Sequence, residues 1–200
     1  MVTIKHRRRL LDPAANRGTS MLEILITIVI LTFGMLGLAA LQARAHTAEL
    51  ESYQRGQALI LLEDMLSRME ANRTAAAVLI GGAAYPYVTS TALGTGATDA
   101  TTCTTLTTRA AIDLCEWSKA IKGSSEAKTV GGTTTKQGAM IDGRGCVALV
   151  SGTTFMVSVV WQGMNPTAVP ATSCGSTQYD SESTRRAVTA VYNVTNLAAP

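Results

Sequence analysis

An uninterrupted apolar run near the N-terminus constrains this chain more than any other feature of its sequence. Residues 24–41 are 18 residues without a charge, and residues 21–41 form a run of 21 that only Glu23 interrupts. At a rise of about 1.5 Å per residue this helix would be about 31 Å long, close to the roughly 30 Å hydrocarbon core of a bilayer. A buried helix of a soluble protein is the alternative, but such a helix is seldom apolar on every side. The run therefore predicts a transmembrane helix.

The charge of the chain is concentrated in front of this run. Residues 1–18 carry a net charge of +4 and the whole chain carries +3, so residues 19–200 carry −1. The tract KHRRR could be a nuclear signal or a nucleic-acid patch, but beside an apolar span it fits the positive-inside rule better. The N-terminus is then cytoplasmic, and everything after Leu41 is exported without a basic face for nucleic acid.

The helical pattern continues beyond the apolar run, and one helix is expected from about Ser20 to about Ala77. Its second half is amphipathic, since Asp64 and Arg68 are spaced for an i,i+4 ion pair off the apolar stripe. That stripe consists of Leu41, Ala45, Ala48, Leu59, Leu62, Met65, Leu66 and Met69. An amphipathic half of this kind needs a surface to pack against.

The rest of the chain reads as a small head with long loops rich in threonine and glycine. The segment AAIDLCEWSKAIKG predicts a short helix with Thr108 as its N-cap and Gly123 as its C-terminal stop. Its side chains Leu114, Trp117 and Ile121 share one side. The polar stretch GSSEAKTVGGTTTKQGAMIDGRG follows and is expected to be a loop that leads into strands.

Three strands are predicted in the C-terminal part. CVALVS and TFMVSVVW, joined by Gly152 and Thr153, read as a hairpin, and RRAVTAVYNV alternates as a third strand. Because three short strands cannot stand alone, the amphipathic half of the long helix is their expected packing partner. The predicted fold class is α+β: a lollipop of one long N-terminal helix, transmembrane and then amphipathic, on a small antiparallel sheet. Its parts are a leader (1–18), a transmembrane half (19–42), an amphipathic half (43–80) and the head (81–200).

Four cysteines lie beyond the span, and an even number on the exported side predicts two disulfides. A zinc site is disfavoured because the separations of 12, 31 and 28 residues contain no CxxC motif. Three connectivities are possible. Cys103 and Cys115 flank a short loop that runs into the Trp117 helix, whereas Cys146 opens the hairpin and Cys174 precedes the third strand. The pairing Cys103–Cys115 with Cys146–Cys174 is therefore favoured.

The sequence offers no constellation typical of an enzyme. His6 lies in the basic leader and His46 just beyond the span, so a nucleophile–histidine site would depend on His46 alone. The tract GGTTTKQG does not match the phosphate-binding pattern GxxxxGK[ST]. We expect no enzymatic activity, no cofactor and no metal.

The segment RGTSMLEILITIVILTFGMLGLAALQ resembles the class III signal sequence of type IV prepilins. It has a short basic leader, a glycine at the cleavage point, a glutamate fifth after it, and then an apolar helix. An ordinary secretory signal is cut after its apolar run, whereas here the site, Gly18–Thr19, precedes it. The resemblance implies cleavage between these residues by prepilin peptidase and N-methylation of Thr19, which stands where pilins usually have phenylalanine.

The chain as a whole resembles type IV pilus minor pilins of the PilV type, closely over residues 16–70 and more loosely beyond. This resemblance implies a minor pilin held in the bacterial inner membrane with its head in the periplasm, and later assembled into surface pili. The implied partners are other minor pilins, the major pilin, the inner-membrane assembly machinery and the lipid bilayer, with no nucleic acid required. The alternatives are a type II secretion pseudopilin, and a single-span envelope receptor or enzyme.

Glu23 acquires a function in this setting. A lone carboxylate in hydrocarbon costs several kcal/mol unless it is paired. Cleavage after Gly18 would create an ammonium group on Thr19, one helical turn away, and in a filament Glu23 could meet the same group of a neighbour. Such a pair would specify the register between subunits more than it would add stability. The alternative is that Glu23 only reaches towards the lipid headgroups.

Overall fold

The computed structural model describes residues 21–76, 85–124, 127–136 and 140–194. The leader, Gly18 and Thr19 lie outside the described residues. The chain divides into two compact units, residues 1–45 and residues 46–200. In chain order the elements are α1 (Met21–Ala71), α2 (Arg73–Ala76), β1 (Leu93–Gly94), a 3₁₀ turn (Cys103–Thr105), α3 (Arg109–Ile121), β2 (Ala127–Val130), β3 (Thr133–Lys136), β4 (Arg144–Ser151), β5 (Thr154–Gln162) and β6 (Arg185–Asn193).

The first unit contains the apolar part of α1. No side chain between residues 21 and 45 is buried, and Phe33 is 72% exposed. The helix is long and apolar enough to cross a membrane, with a mean hydropathy of 2.6 over its most apolar window. Its length and composition therefore agree with the predicted span.

The long helix ends earlier than the expected Ala77. α1 ends at Ala71, and α2 follows after Asn72, whose amide still bonds to the carbonyl of Arg68 at 3.1 Å. The side chain of Asn72 donates to the hydroxyl of Tyr87 at 3.0 Å. A residue of weak helix propensity at this point is thus held by a contact outside the helix.

The second unit is built on an antiparallel sheet in the order β1–β4–β5–β6. The predicted hairpin is confirmed, with Gly152 in its turn at φ +52°. The third strand is also confirmed and pairs with β5 without a register shift. β1, a strand of two residues inside a predicted loop, adds a fourth member beside β4.

The polar stretch before the sheet is not the uninterrupted loop that was expected. β2 and β3 form a separate hairpin joined by Gly131 and Gly132, both at positive φ. Two glycines between β-branched residues are a strong signal for a two-residue hairpin. The threonine and glycine content concealed this signal, because the same composition is typical of loops.

The short helix α3 forms as predicted. The Thr108 side chain accepts a hydrogen bond from the amide of Ala111 at 3.2 Å, and Gly123 follows the helix at φ +75°. Trp117 and Ile121 are buried. α3 packs so closely on β4 that a Cβ atom at Gly145 would lie 2.4 Å from the Trp117 ring, which is why this strand position has no side chain.

The core of the second unit lies between α1 and the sheet, as predicted. The buried apolar residues of α1 are Ala58, Leu62, Met65 and Met69, and they form one cluster with four buried side chains of β5. Those are Phe155, Val157, Val159 and Trp161. The α+β class, with a long N-terminal helix and a small antiparallel sheet, is therefore confirmed.

The other face of β5 is buried as well, which the sequence did not predict. The hydroxyl of Ser158 lies 3.2 Å from that of Thr172 in the connection between β5 and β6, and both residues are buried. Arg185 is 2% exposed and donates to the carbonyls of Thr172 and Cys174 at 2.7 and 3.1 Å. A buried guanidinium thus holds this connection against the sheet.

Candidate assembly surfaces

Glu23 lies in the first turn of α1 and is exposed. It is the only ionisable side chain in residues 21–43. Two polar neighbours, Thr27 and Thr32, donate to the carbonyls of Ile24 and Val29, each at 2.8 Å. Threonine hydroxyls can be satisfied in this way within their own helix, whereas a carboxylate accepts hydrogen bonds and needs a donor or a cation. Glu23 is therefore the group in this segment whose chemistry suits a cationic partner in a lipid-like environment.

A buried carboxylate joins α1 to α3. Asp113 is 1% exposed, and its Oδ1 atom lies 3.3 Å from Nη1 of Arg68 and 2.9 Å from Nη2 of Arg109. The hydroxyl of Tyr87 donates to the other oxygen of Asp113 at 2.5 Å. Burial raises the pKa of Tyr87, and its hydrogen bond to Asp113 raises it further. The protonated phenol therefore remains a donor.

Arg68 connects this carboxylate to two others. Its Nε atom lies 3.0 Å from Asp64, which confirms the i,i+4 pair, and its Nη1 atom lies 2.6 Å from Glu116 of α3. Burial lowers the pKa of Arg68, but the hydrogen bonds to Glu116 and Asp64 outweigh this and raise it above its ordinary value. The cation is permanent and bridges the two helices.

The indole of Trp117 provides a second link between these helices. Its Nε1 atom donates to the carbonyl of Leu61 in α1 at 2.8 Å. The sequence pattern predicted Trp117 on the apolar side of α3, but it did not reveal either link. One signal was available: Asp113 is four residues before Trp117 and so falls on the apolar side of α3, where a carboxylate needs partners.

Both disulfides connect the pairs that the sequence favoured. Cys103–Cys115 fastens the 3₁₀ turn to α3 with a Cα–Cα distance of 5.6 Å. Cys146–Cys174 fastens the connection between β5 and β6 to β4 with a distance of 5.8 Å. Each bond therefore holds a loop against a regular element of the head.

A polar groove of about 480 Å³ separates α1 from the start of β6. Glu51 and Arg186 form an ion pair of 3.3 Å along it, and Arg55 and Trp161 also line it. His46 does not line this groove; it is exposed, and its Nδ1 atom lies 3.5 Å from Oε2 of Glu49. Among the described residues, no group of three or more His, Cys, Asp or Glu side chains is placed to hold a metal ion.

The comparison with known families agrees with this structure. The model of a family described as Tt1218-like, type IV pilin Tt1218, matches residues 40–115. The matched segment runs from the middle of α1, through Arg68 and Tyr87, to Cys115 in α3, and is less than half of the chain. No curated protein and no solved structure matches the chain. Over the part in which α1 docks onto α3, the chain is thus similar to a type IV pilin, which supports a pilin role in a pilus.

Proposed function

We propose that this chain is a minor pilin, which is held in the inner membrane and joins other minor pilins in a complex that primes assembly near the pilus tip. One observation carries the proposal. The side chains of α1 are exposed and mostly apolar over residues 21–41, whereas the same helix buries Leu62, Met65 and Met69 against the head. A helix with these two environments needs an apolar surrounding for its first part only. A bilayer provides that surrounding before assembly, and a bundle of neighbouring helices provides it afterwards.

The proposal includes processing between Gly18 and Thr19 by prepilin peptidase. The basic leader and the glycine support it, because the cut would leave the apolar helix on the mature protein with a new ammonium group at its start. N-methylation of Thr19 belongs to the same proposal. The N-terminus would face the cytoplasm and the head the periplasm.

Glu23 is then the residue that makes assembly depend on the correct register between subunits. Thr19 and Glu23 are four residues apart, so the ammonium and the carboxylate can pair within one chain or between neighbours. In a low dielectric an unpaired carboxylate is costly, whereas a paired one is tolerated. A subunit that enters the filament out of register leaves Glu23 without its cation and is rejected.

Substitution of Glu23 by valine tests this function, with Glu49→Val as the matched control. Glu49 is an exposed carboxylate on the same helix, beyond the apolar run. Glu23→Val should insert and be processed normally, but its amount in sheared pili should fall at least about tenfold, the effect of losing ~1.4 kcal/mol of pairing free energy. Glu49→Val should assemble as the unaltered chain does.

Fractionation separates the remaining possibilities. A minor pilin appears in sheared surface fibres, a type II secretion pseudopilin co-purifies with secretin components, and an envelope receptor or enzyme does neither. Equal incorporation of Glu23→Val and the unaltered chain would refute the assembly role of the carboxylate. Absence of the unaltered chain from fibres would refute the pilin role itself.

A further inference from the structure

The sheet of the head ends in a long strand, β6. β6 pairs with β5 over nine consecutive residue pairs, from Thr154 opposite Asn193 to Gln162 opposite Arg185. Within the described residues no strand lies on its other side. A strand of this length at a sheet edge presents a row of backbone donors and acceptors to any extended segment that approaches it.

The register identifies the groups that face outward. In an antiparallel sheet successive residues direct their backbone groups to opposite sides. The Val147 carbonyl accepts from the Thr89 amide at 2.9 Å, so this residue of β4 faces away from β5. Val157, the partner of Val147, therefore directs its backbone groups away from β4 and towards β6. Its partner there is Ala190, whose backbone groups consequently face β5. It follows that Ala187, Thr189 and Val191 direct their backbone groups away from the sheet.

The opposite edge is closed, in contrast to β6. β1 pairs with the start of β4, and Thr89 bonds to both the amide and the carbonyl of Val147. A register irregularity between Leu149 and Ser151 interrupts the remaining part of that edge. Such irregularities are among the devices by which proteins prevent edge pairing.

β6 has none of these devices between residues 187 and 193. This stretch, AVTAVYN, contains no proline and no charged residue, and its register has no irregularity. Val191 is 67% exposed. An edge that is long, regular in its register and uncharged is expected to be covered in the working assembly.

Symmetry argues against antiparallel pairing with the β6 strand of a second copy. Antiparallel pairing of two β6 strands creates a two-fold axis perpendicular to the sheet. Residues 46–71 of α1 lie along one face of the sheet, and this rotation keeps them on that face but reverses their direction. The long helices of the two copies would therefore approach the joined sheet from opposite ends. Subunits anchored in one membrane enter from the same side.

A partner that keeps its helix on the same face and in the same direction must offer the opposite edge of its own sheet. In this chain that edge is the one closed by β1 and Thr89. We propose that the β6 edge receives a strand from the head of a different pilin subunit, which forms a sheet continuous with this one. The partner strand would be uncharged opposite Thr189 and Val191. This inference rests on the proposed function.

The test uses the full chain in membranes of a pilus-producing cell, with an affinity tag on the chain. Two variants act on the outward groups: Thr189→Pro removes an outward amide, and Val191→Lys places a charge at the edge. Two matched controls accompany them. Thr189→Ala keeps the amide, and Val130→Lys places the same charge at a valine that is 64% exposed in β2. Formation of both disulfides in each variant verifies that the head has folded.

Recovery of other pilins with the tagged chain should fall at least about tenfold for Thr189→Pro and Val191→Lys, and should stay unchanged for the controls. Hydrogen exchange at the amides of residues 187, 189 and 191 should be slower in the recovered complex than in the isolated chain. Unchanged recovery and unchanged exchange would overturn the edge proposal while leaving the pilin role intact. Recovery of a second copy through this edge would also overturn it. If no pilin is recovered with the unaltered chain, the proposed function fails first and the inference with it.

Discussion

The indole nitrogen of Trp117 donates a hydrogen bond of 2.8 Å to the carbonyl of Leu61, across 56 positions of sequence. Trp117 is fully buried, and its ring also covers Gly145 of β4. One side chain therefore joins the long helix, the short helix and the sheet. The chain has two tryptophans, and the other, Trp161, has a buried indole nitrogen without a hydrogen-bond partner among the described residues.

This contrast gives the first prediction. Both Trp117→Phe and Trp161→Phe should lower the free energy of unfolding of the head. The loss should be about 1–2 kcal/mol larger for Trp117→Phe, because only this substitution removes a hydrogen bond. The measurement is urea unfolding of the full chain in detergent, with the remaining tryptophan as the fluorophore. Equal losses in the two variants would show that the bond to Leu61 contributes nothing.

The second prediction concerns the buried carboxylate. Asp113→Ala should destabilise the head by about 3 kcal/mol, because it leaves Arg109 and the Tyr87 hydroxyl without their buried partner. Asp64→Ala removes another carboxylate from Arg68, but a half-exposed one, and should cost less than about 1 kcal/mol. Chemical denaturation of both variants gives the comparison, and a similar cost for the two would contradict the importance of burial.

The third prediction concerns alkaline pH. Burial, together with a hydrogen bond to Glu70, raises the pKa of Tyr192 from 10.0 to about 12. The folded state therefore binds more protons than the unfolded state between these values. The contribution of Tyr192 to stability is complete below pH 10 and is lost as the pH rises towards about 12.

Tyr192→Phe should consequently reduce the fall in stability over this pH range. Thermal unfolding of the full chain at several pH values provides the measurement. An identical pH dependence in the Tyr192→Phe variant and the unaltered chain would be inconsistent with the raised pKa.

The fourth prediction ranks the disulfides. In the chain-entropy model a bond closing 28 residues stabilises more than one closing 12, about 3.6 against about 2.8 kcal/mol. Replacing Cys146 and Cys174 together by serine should therefore lower the midpoint of unfolding more than replacing Cys103 and Cys115. Thermal unfolding of the two double variants decides the order, and the reverse ranking would refute the entropic explanation.

Local patterns predicted much of this fold. The stripe on α1, the capped helix α3 and the alternating strands β4, β5 and β6 follow from periodicity and from turn residues. They are reliable because each depends on neighbours within a few positions. The hairpin of β2 and β3 was missed although its signal was equally local, since its residue types are also those of loops.

The contacts that join the helices and strands could not be predicted from local sequence patterns. Asp113 meets Tyr87 and Arg68, which lie 26 and 45 positions away, and periodicity does not reveal such partners. The burial of Ser158 likewise depends on a loop that returns over the sheet. Of the candidate assembly features, the sequence indicated Glu23 and Gly18. The open edge of β6 could not be predicted, because it follows only from the order of the strands in the sheet.

The mature N-terminus tests the central claim most directly. Chain recovered from sheared surface fibres should be measured by intact mass and by N-terminal sequencing, with a Gly18 variant carrying a bulky residue as the control. The proposed function predicts a chain that begins Thr-Ser-Met-Leu-Glu at Thr19, with or without one added methyl group, and no processing of the control. A chain that begins at Met1, or one cut after Ala40, would contradict the pilin account.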